Sequence, residues 1–278
     1  MLDIQDVIEN LLYSTIKITA MHNGVPTGSG TGFFCRFAEK NDHFLPVLVT
    51  NKHVIRDADA IQLIFHLKDQ QTVKGKGSGE LYEVIVPLQN IVVNHPDEDI
   101  DLCAILIVHI LNQADAIGKN TFISTVSMQN LPDDSDWDYF SDIEEVTMIG
   151  YPNGLSDSVN NFPLVRRGIT ATSPRKAYNG KQEFLVDMAC FPGSSGSPVF
   201  LFNTQNYFDQ KGQRYVVAGL RVKLLGILYA GPQFTNTGQI ILNQTPQFQV
   251  ATMMHLGICI RSKELKVLDT YLTSKFNL

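Results

Sequence analysis

The run Phe191-Pro192-Gly193-Ser194-Ser195-Gly196-Ser197-Pro198-Val199-Phe200 frames a pair of serines with two glycines and leads into an apolar strand. A sharply bent loop of this kind can expose one hydroxyl, that of Ser195. It can also aim two backbone N–H groups, those of Gly193 and Ser195, at a single point, forming an oxyanion hole. Taken alone, the same run also reads as a Gly/Ser hairpin turn without chemistry. A serine hydroxyl is a weak nucleophile and needs a base within hydrogen-bond reach, itself oriented by a third group. Of seven histidines, His53 is best placed, because Leu45-Pro46-Val47-Leu48-Val49 ends at Thr50-Asn51-Lys52-His53 and sets an imidazole just past a buried strand. His22, His43 and His95 lie beside turn residues, and His66, His109 and His255 sit within apolar runs. For a lone histidine in such a setting a structural role competes with catalysis. The orienting acid is sought in Asp97-Glu98-Asp99-Ile100-Asp101-Leu102-Cys103-Ala104-Ile105-Leu106. A carboxylate at the mouth of a buried strand is partly desolvated yet can still receive an imidazole N–H. Asp101 touches the apolar run directly and is the first choice, with Asp99 in reserve. Asp97 and Glu98 read as a solvated turn.

The elements that must position these groups are mostly strands. Alternating or continuous apolar runs bounded by Gly, Pro, Asn and Asp predict strands over 13–20, 31–37, 45–50, 61–67, 81–86, 101–108, 145–150, 164–171, 183–188, 197–202 and 256–260. A further apolar run, 215–229, is one strand or two bent at Gly219. Ile4, Val7, Ile8 and Leu11 follow helical spacing, so residues 3–12 are expected to form a short amphipathic helix. At the other end Ser262 can cap a helix of about three turns bearing Leu265, Leu268 and Leu272 on one side. The acidic stretch 132–142 and the polar stretch 203–214 read as loops.

The chain has 278 residues, 44% of them hydrophobic, which is enough for one large all-β unit or two lobes with ample core. A net charge of -6 argues against a nucleic-acid or anionic-membrane surface, which needs a basic footprint. The N-terminal residues lack the basic and long apolar regions of an export signal, and no window reaches membrane-spanning length. A cytoplasmic protein is therefore expected. Cys35, Cys103, Cys190 and Cys259 are scattered through apolar segments without metal-ligand spacing, so free buried thiols are expected and no metal site.

The order His53, Asp101, Ser195 resembles the triad of the chymotrypsin-like (trypsin-fold) serine peptidases. Gly30-Thr31-Gly32-Phe33-Phe34 is similar to the family's early glycine-bearing strand, and Thr50-Asn51-Lys52-His53-Val54 to its histidine motif. Asp101 to Leu106 is similar to its aspartate strand, and Gly193-Ser194-Ser195-Gly196-Ser197-Pro198 to its serine signature. Leu224 to Gly231 resembles the strand that pairs with substrate. Leu256 to Ser262 resembles the last strand and helix start of the bacterial high-temperature-requirement peptidases, without their PDZ domain. The resemblance covers residues 13 to 275.

That resemblance implies an all-β fold of two six-stranded antiparallel β-barrels, with a short N-terminal helix and a C-terminal helix. Residues 1–278 would be a single peptidase domain: an N-terminal lobe over 13–118 carrying His53 and Asp101, a linker over 119–144, and a C-terminal lobe over 145–278 carrying Ser195. It implies a serine endopeptidase that acts on protein or peptide substrates without a cofactor; with the charge and N-terminus read above, this is expected to be an intracellular enzyme that binds neither nucleic acid nor membrane and is regulated by a protein partner or by self-cleavage. Two alternatives remain: a catalytically silent peptide-binding module, and a chaperone-like oligomeric protease. Substrate would lie along 228–231, with a specificity pocket built from Ala189, Cys190, the loop to Gly193, Tyr229, Ala230, Gly231 and Gly257. Ala189 stands where trypsin has an acid, which implies an apolar residue before the cut. Val54 and Phe191 stand where secreted members carry cysteines, so the usual disulfides are excluded. Ser194 replaces the acid that binds a freshly cut N-terminus in zymogen enzymes, which argues against that mode of activation.

Overall fold

The structure is a computed structural model that describes residues 4–41, 43–69, 77–231, 233–239 and 247–278. Two antiparallel sheets dominate it. The first runs in the order Gly77–Pro87, Ala60–Lys68, Thr15–His22, Val25–Lys40, His43–Thr50, Cys103–Leu106, Val92–Asn94, with Thr121–Phe122 also paired to Ala60–Lys68. The second is a closed barrel of Leu164–Thr170, Glu183–Asp187, Leu256–Arg261, Arg221–Ala230, Pro198–Asn203 and Glu145–Gly150. The expectation of two six-stranded barrels is therefore corrected in the N-terminal half. Its eight strands leave the sheet open, because the end strands do not pair among the described residues. Pro87 has no N–H to extend the ladder, and the next N–H, that of Leu88, goes to the Asp59 carbonyl. At the opposite end, Val92–Asn94 is only three residues long.

Several other boundaries also move. The expected strand 101–108 is only Cys103–Leu106, and the chain then forms a helix, Val108–Ala116. No side chain caps that helix and no acid lies in its first turn, so it carried no start signal. The long run 215–229 does break around Gly219, into Arg214–Val216 and Arg221–Ala230. Arg214–Val216 pairs with Tyr207–Asp209, a hairpin that begins inside the expected loop 203–214 and ends two residues beyond it. A second hairpin, Gln233–Gln239 with Gln247–Met253, was not anticipated. The acidic stretch 132–142 holds the short helix Asp134–Tyr139, pinned by buried Trp137 and Phe140 whose rings meet edge to face at 5.4 Å.

The N-terminal helix is Ile4–Leu12. Asp3, at the start of the expected span, lies outside the described residues. The C-terminal helix is Lys263–Phe276, and Ser262 does not cap it: its hydroxyl makes no capping bond, while its N–H goes to the Leu225 carbonyl at 3.0 Å. Packing fixes this helix instead. Leu265, Leu268 and Leu272 are fully buried in one cluster with Phe33, Phe37 and Val47 of the first sheet and Phe200, Ile227 and Ile260 of the barrel. Fully burying a leucine side chain is worth about 1.5–3 kcal/mol, so the helix holds the two sheets against each other. No helix among the described residues is long and apolar enough to cross a membrane.

Candidate active site

The strand His43–Thr50 ends in Asn51, and a single 3-10 turn, Lys52–Ile55, places His53 at its start. Its Nδ1 lies 2.5 Å from Asp101 Oδ2, while its backbone N–H donates to Asp101 Oδ1 at 3.0 Å. Both carboxylate oxygens are therefore committed to His53. The buried Asn51 fixes the acid from behind, its Nδ2 donating to the Asp101 carbonyl at 2.7 Å. Lys52 Nζ reaches the carbonyls of Asp97 and Glu98 and braces the turn that precedes Asp101. Asp99 is exposed on that turn, with its N–H on Asp97 Oδ1, so Asp101 and not Asp99 meets the histidine. With Nδ1 facing a carboxylate, Nε2 is the nitrogen left to accept a proton.

The serine loop is built from two left-handed glycines. Phe191 to Ser194 form a turn closed by the Ser194 N–H on the Phe191 carbonyl at 3.0 Å, with Pro192 second and Gly193 third at φ +81°. That is the signature of a type II turn, which Pro-Gly favours. The Pro192 carbonyl accepts from Asn153 N at 2.6 Å. In a trans peptide the N–H opposes the C=O, so the Gly193 N–H points away from Asn153. Neither it nor the Ser195 N–H has a hydrogen-bond partner among the described residues. A Cβ at Gly196, where φ is +86°, would fall 1.9 Å from the Thr31 carbonyl, so the loop turns where only glycine fits.

Thr31 joins the loop to the first sheet. Its N–H donates to the Ser195 carbonyl at 2.8 Å, and its hydroxyl donates to the Gly193 carbonyl at 3.1 Å and accepts from Tyr151 N at 3.0 Å. Ser195 Oγ itself donates to the Tyr229 carbonyl at 3.3 Å. Beside it opens a cavity of about 300 Å³ lined by 190–192, Ser195 and 228–231. Of the expected pocket residues, Cys190, Tyr229, Ala230 and Gly231 line it. Ala189 and Gly257 do not: the Ala189 carbonyl is turned to Arg166 Nη1 at 2.7 Å, and Gly257 backs Cys190, whose Sγ lies 2.6 Å from where a Cβ would sit.

A family model of the trypsin-like peptidase domain matches residues 30–206. The chain belongs to this family. Its fold is mostly β, with one closed six-stranded barrel among the described residues. Among solved structures, it is similar to the serine endoprotease of Yersinia pestis, with a TM-score of 0.46, 14% identity, and 99% of this chain matched to 66% of that one. It is also similar to the thermostable serine protease AL20 of an extremophilic microorganism (TM-score 0.48, 12% identity, 95% of this chain and 98% of that one). A third is tobacco etch virus protease in complex with product (0.44, 13%, 81% and 70%). No curated protein matches the chain.

The four cysteines are buried and form no disulfide with one another. Burial pushes the thiol of Cys190 up to about 11, so the one cysteine on the pocket wall stays protonated at neutral pH. Tyr229 spans from the pocket to the barrel interior, its hydroxyl donating to the buried Glu183 at 2.7 Å. Burial and that carboxylate raise its pKa, so it remains a phenol. Among the described residues no group of three or more His, Cys, Asp or Glu side chains could hold a metal ion. Sequence reasoning missed Thr31, Asn51, Asn153 and Arg166. Asn51 stood two residues before His53 and Thr31 inside the glycine-bearing strand, but neither residue type announces a supporting hydrogen bond.

Proposed function

We propose that this chain is a serine endopeptidase that cleaves peptide bonds through an acyl-enzyme. The observation that carries this is the paired commitment of Asp101 to His53 beside a turn that leaves two N–H groups unpartnered. Ser195 would rotate its hydroxyl from the Tyr229 carbonyl to His53 Nε2 and attack the substrate carbonyl carbon. His53 would accept the hydroxyl proton and pass it to the leaving amine, and Asp101 would stabilise the imidazolium. The N–H groups of Gly193 and Ser195 would hold the tetrahedral oxyanion, each lowering the barrier by about 3 kcal/mol. Water activated by His53 would then release the acyl group and restore Ser195.

An extended substrate would pair with the main chain of 228–231. The residue before the cut would enter the cavity beside Ser195. No acidic residue lines that cavity; behind its wall the Arg166 guanidinium donates to the Ala189 carbonyl, and the Glu183 carboxylate is occupied by the Tyr229 hydroxyl. An apolar residue before the cut fits this wall, and lysine or arginine does not. A fluorophosphonate probe should label the protein and fail on Ser195→Ala and His53→Ala. Peptides with Leu or Phe before the cut should outrun those with Lys or Arg. Equal labelling of the Ser195 variant would overturn the assignment.

A further inference from the structure

Arg166 leaves the barrel strand Leu164–Thr170 and ends behind the serine loop. Its Nη1 bridges two acceptors, the Ala189 carbonyl at 2.7 Å and Ser194 Oγ at 3.0 Å. Ser194 is fully buried. One acceptor lies two residues before the turn that carries Pro192 and Gly193 and the other is its last residue, so a single guanidinium nitrogen spans the turn. The rest of the group is poorly served: Nε and Nη2 are buried with no hydrogen-bond partner, and no ion pair reaches Arg166 among the described residues. Burial lowers the pKa of this arginine accordingly. A largely buried guanidinium without a counter-ion costs the fold more than an apolar side chain of similar size. Stability alone does not account for it.

The part of the loop able to change state is the Pro192–Gly193 peptide. Turning it over converts the type II turn to type I, moves Gly193 to negative φ and takes its N–H out of the oxyanion position. Two contacts oppose that flip from different sides: Asn153 N on the Pro192 carbonyl, and Arg166 on the flanking Ala189 and Ser194. We infer that Arg166 is a positioning residue that locks the serine loop in its oxyanion-binding form from inside the barrel. The kinetic part of this inference rests on the peptidase function proposed above, whereas the locking itself is a property of the loop.

Arg166→Met keeps length and removes the donors; Arg166→Lys keeps the charge but lacks the guanidinium fork. Amide hydrogen exchange over 189–196 should speed up at least tenfold in Arg166→Met, with the rest of the barrel unchanged. The kcat and the rate of fluorophosphonate labelling should fall about 100-fold, with KM moved less than threefold and Arg166→Lys in between. In Arg166→Ala, added guanidinium ion should restore part of kcat, which a merely structural role would not predict. Exchange over 189–196 that matches the wild type in a folded Arg166→Met protein overturns the inference. If that variant does not fold, Arg166→Lys decides by the same comparison. A wild-type protein inert to the probe would refute the peptidase reading, and the exchange result would still decide on the lock.

Discussion

Asp101→Asn tests the site through a constraint that the geometry imposes. Asp101 Oδ1 is held by the backbone N–H of His53 at 3.0 Å, and Oδ2 by Nδ1 at 2.5 Å. The backbone N–H can only donate, so in the variant it claims the one remaining carbonyl oxygen. The new NH2 group then faces Nδ1, which must accept, and the imidazole proton moves to Nε2. A ring protonated at Nε2 cannot take the Ser195 proton. The expected loss in kcat is about 10⁴-fold, the cost of holding such a triad in the wrong tautomer, or about 5 kcal/mol in the barrier. Because both hydrogen bonds are replaced and the side chain keeps its shape, Tm should move by no more than about 4 °C. The assay is kcat on a peptide ester at neutral pH, with fluorophosphonate labelling as a second readout and thermal unfolding as the control. Activity within tenfold of wild type would refute the tautomer argument. A comparable loss in Asp99→Asn, whose side chain is exposed on the neighbouring turn, would refute the assignment of Asp101.

Gly193→Ala should abolish catalysis more thoroughly than its volume suggests. At φ +81° its Cβ would stand 2.8 Å from the Tyr151 carbonyl and 2.9 Å from Asn153 N, both backbone atoms that cannot rotate aside. The loop must shift and the oxyanion position be lost, so kcat should fall about 10²- to 10³-fold; measured kcat within a factor of five would contradict this. His66 gives a pH prediction away from the site. Burial among Tyr13 and Phe162 lowers its pKa below the usual 6.5. Below about that pH the unfolded chain binds a proton that the folded chain refuses. This contribution to stability is intact above 6.5 and is lost as pH falls toward the folded value. His66→Phe should flatten the decline of Tm between pH 7 and 5; an unchanged slope would contradict it.

The His53 and Asp101 positions were legible because each sits at the edge of an apolar run, where a polar residue is conspicuous. The serine loop was legible because glycines and proline mark turns. Arg166 was not, since it stands next to Arg167 on one strand and alternation says only that the two face opposite ways. In the structure Arg167 points outward to Glu145 at 2.7 Å and Arg166 inward. The open first sheet was equally out of reach, because whether end strands meet depends on lengths and bends that no single segment encodes. Helix Val108–Ala116 was lost to an uncapped start, and the final helix was found for a partly wrong reason, its leucines carrying the burden assigned to Ser262.

His53 and Asp101 belong to one sheet and Ser195 to the other, so neither sheet alone can align the three. The alignment has two scales. The shared core under the C-terminal helix sets the sheets roughly, since burial is strong but not directional. Thr31 then sets the fine register. The main chain and side chain of this one residue bind Ser195 and Gly193, while Thr50, one residue before Asn51, donates to the Thr31 carbonyl at 2.8 Å. A path of three residues thus runs from the end of the histidine strand to the serine loop through directional bonds of about 1 kcal/mol each. Such bonds add little to the stability of the fold. They fix geometry where burial cannot, and orientation is what attack by a serine hydroxyl on the face of a carbonyl would require. With Arg166 and Asn153 holding the far side of the same loop, Ser195 is gripped from both sheets, and its position reports whether they are correctly docked.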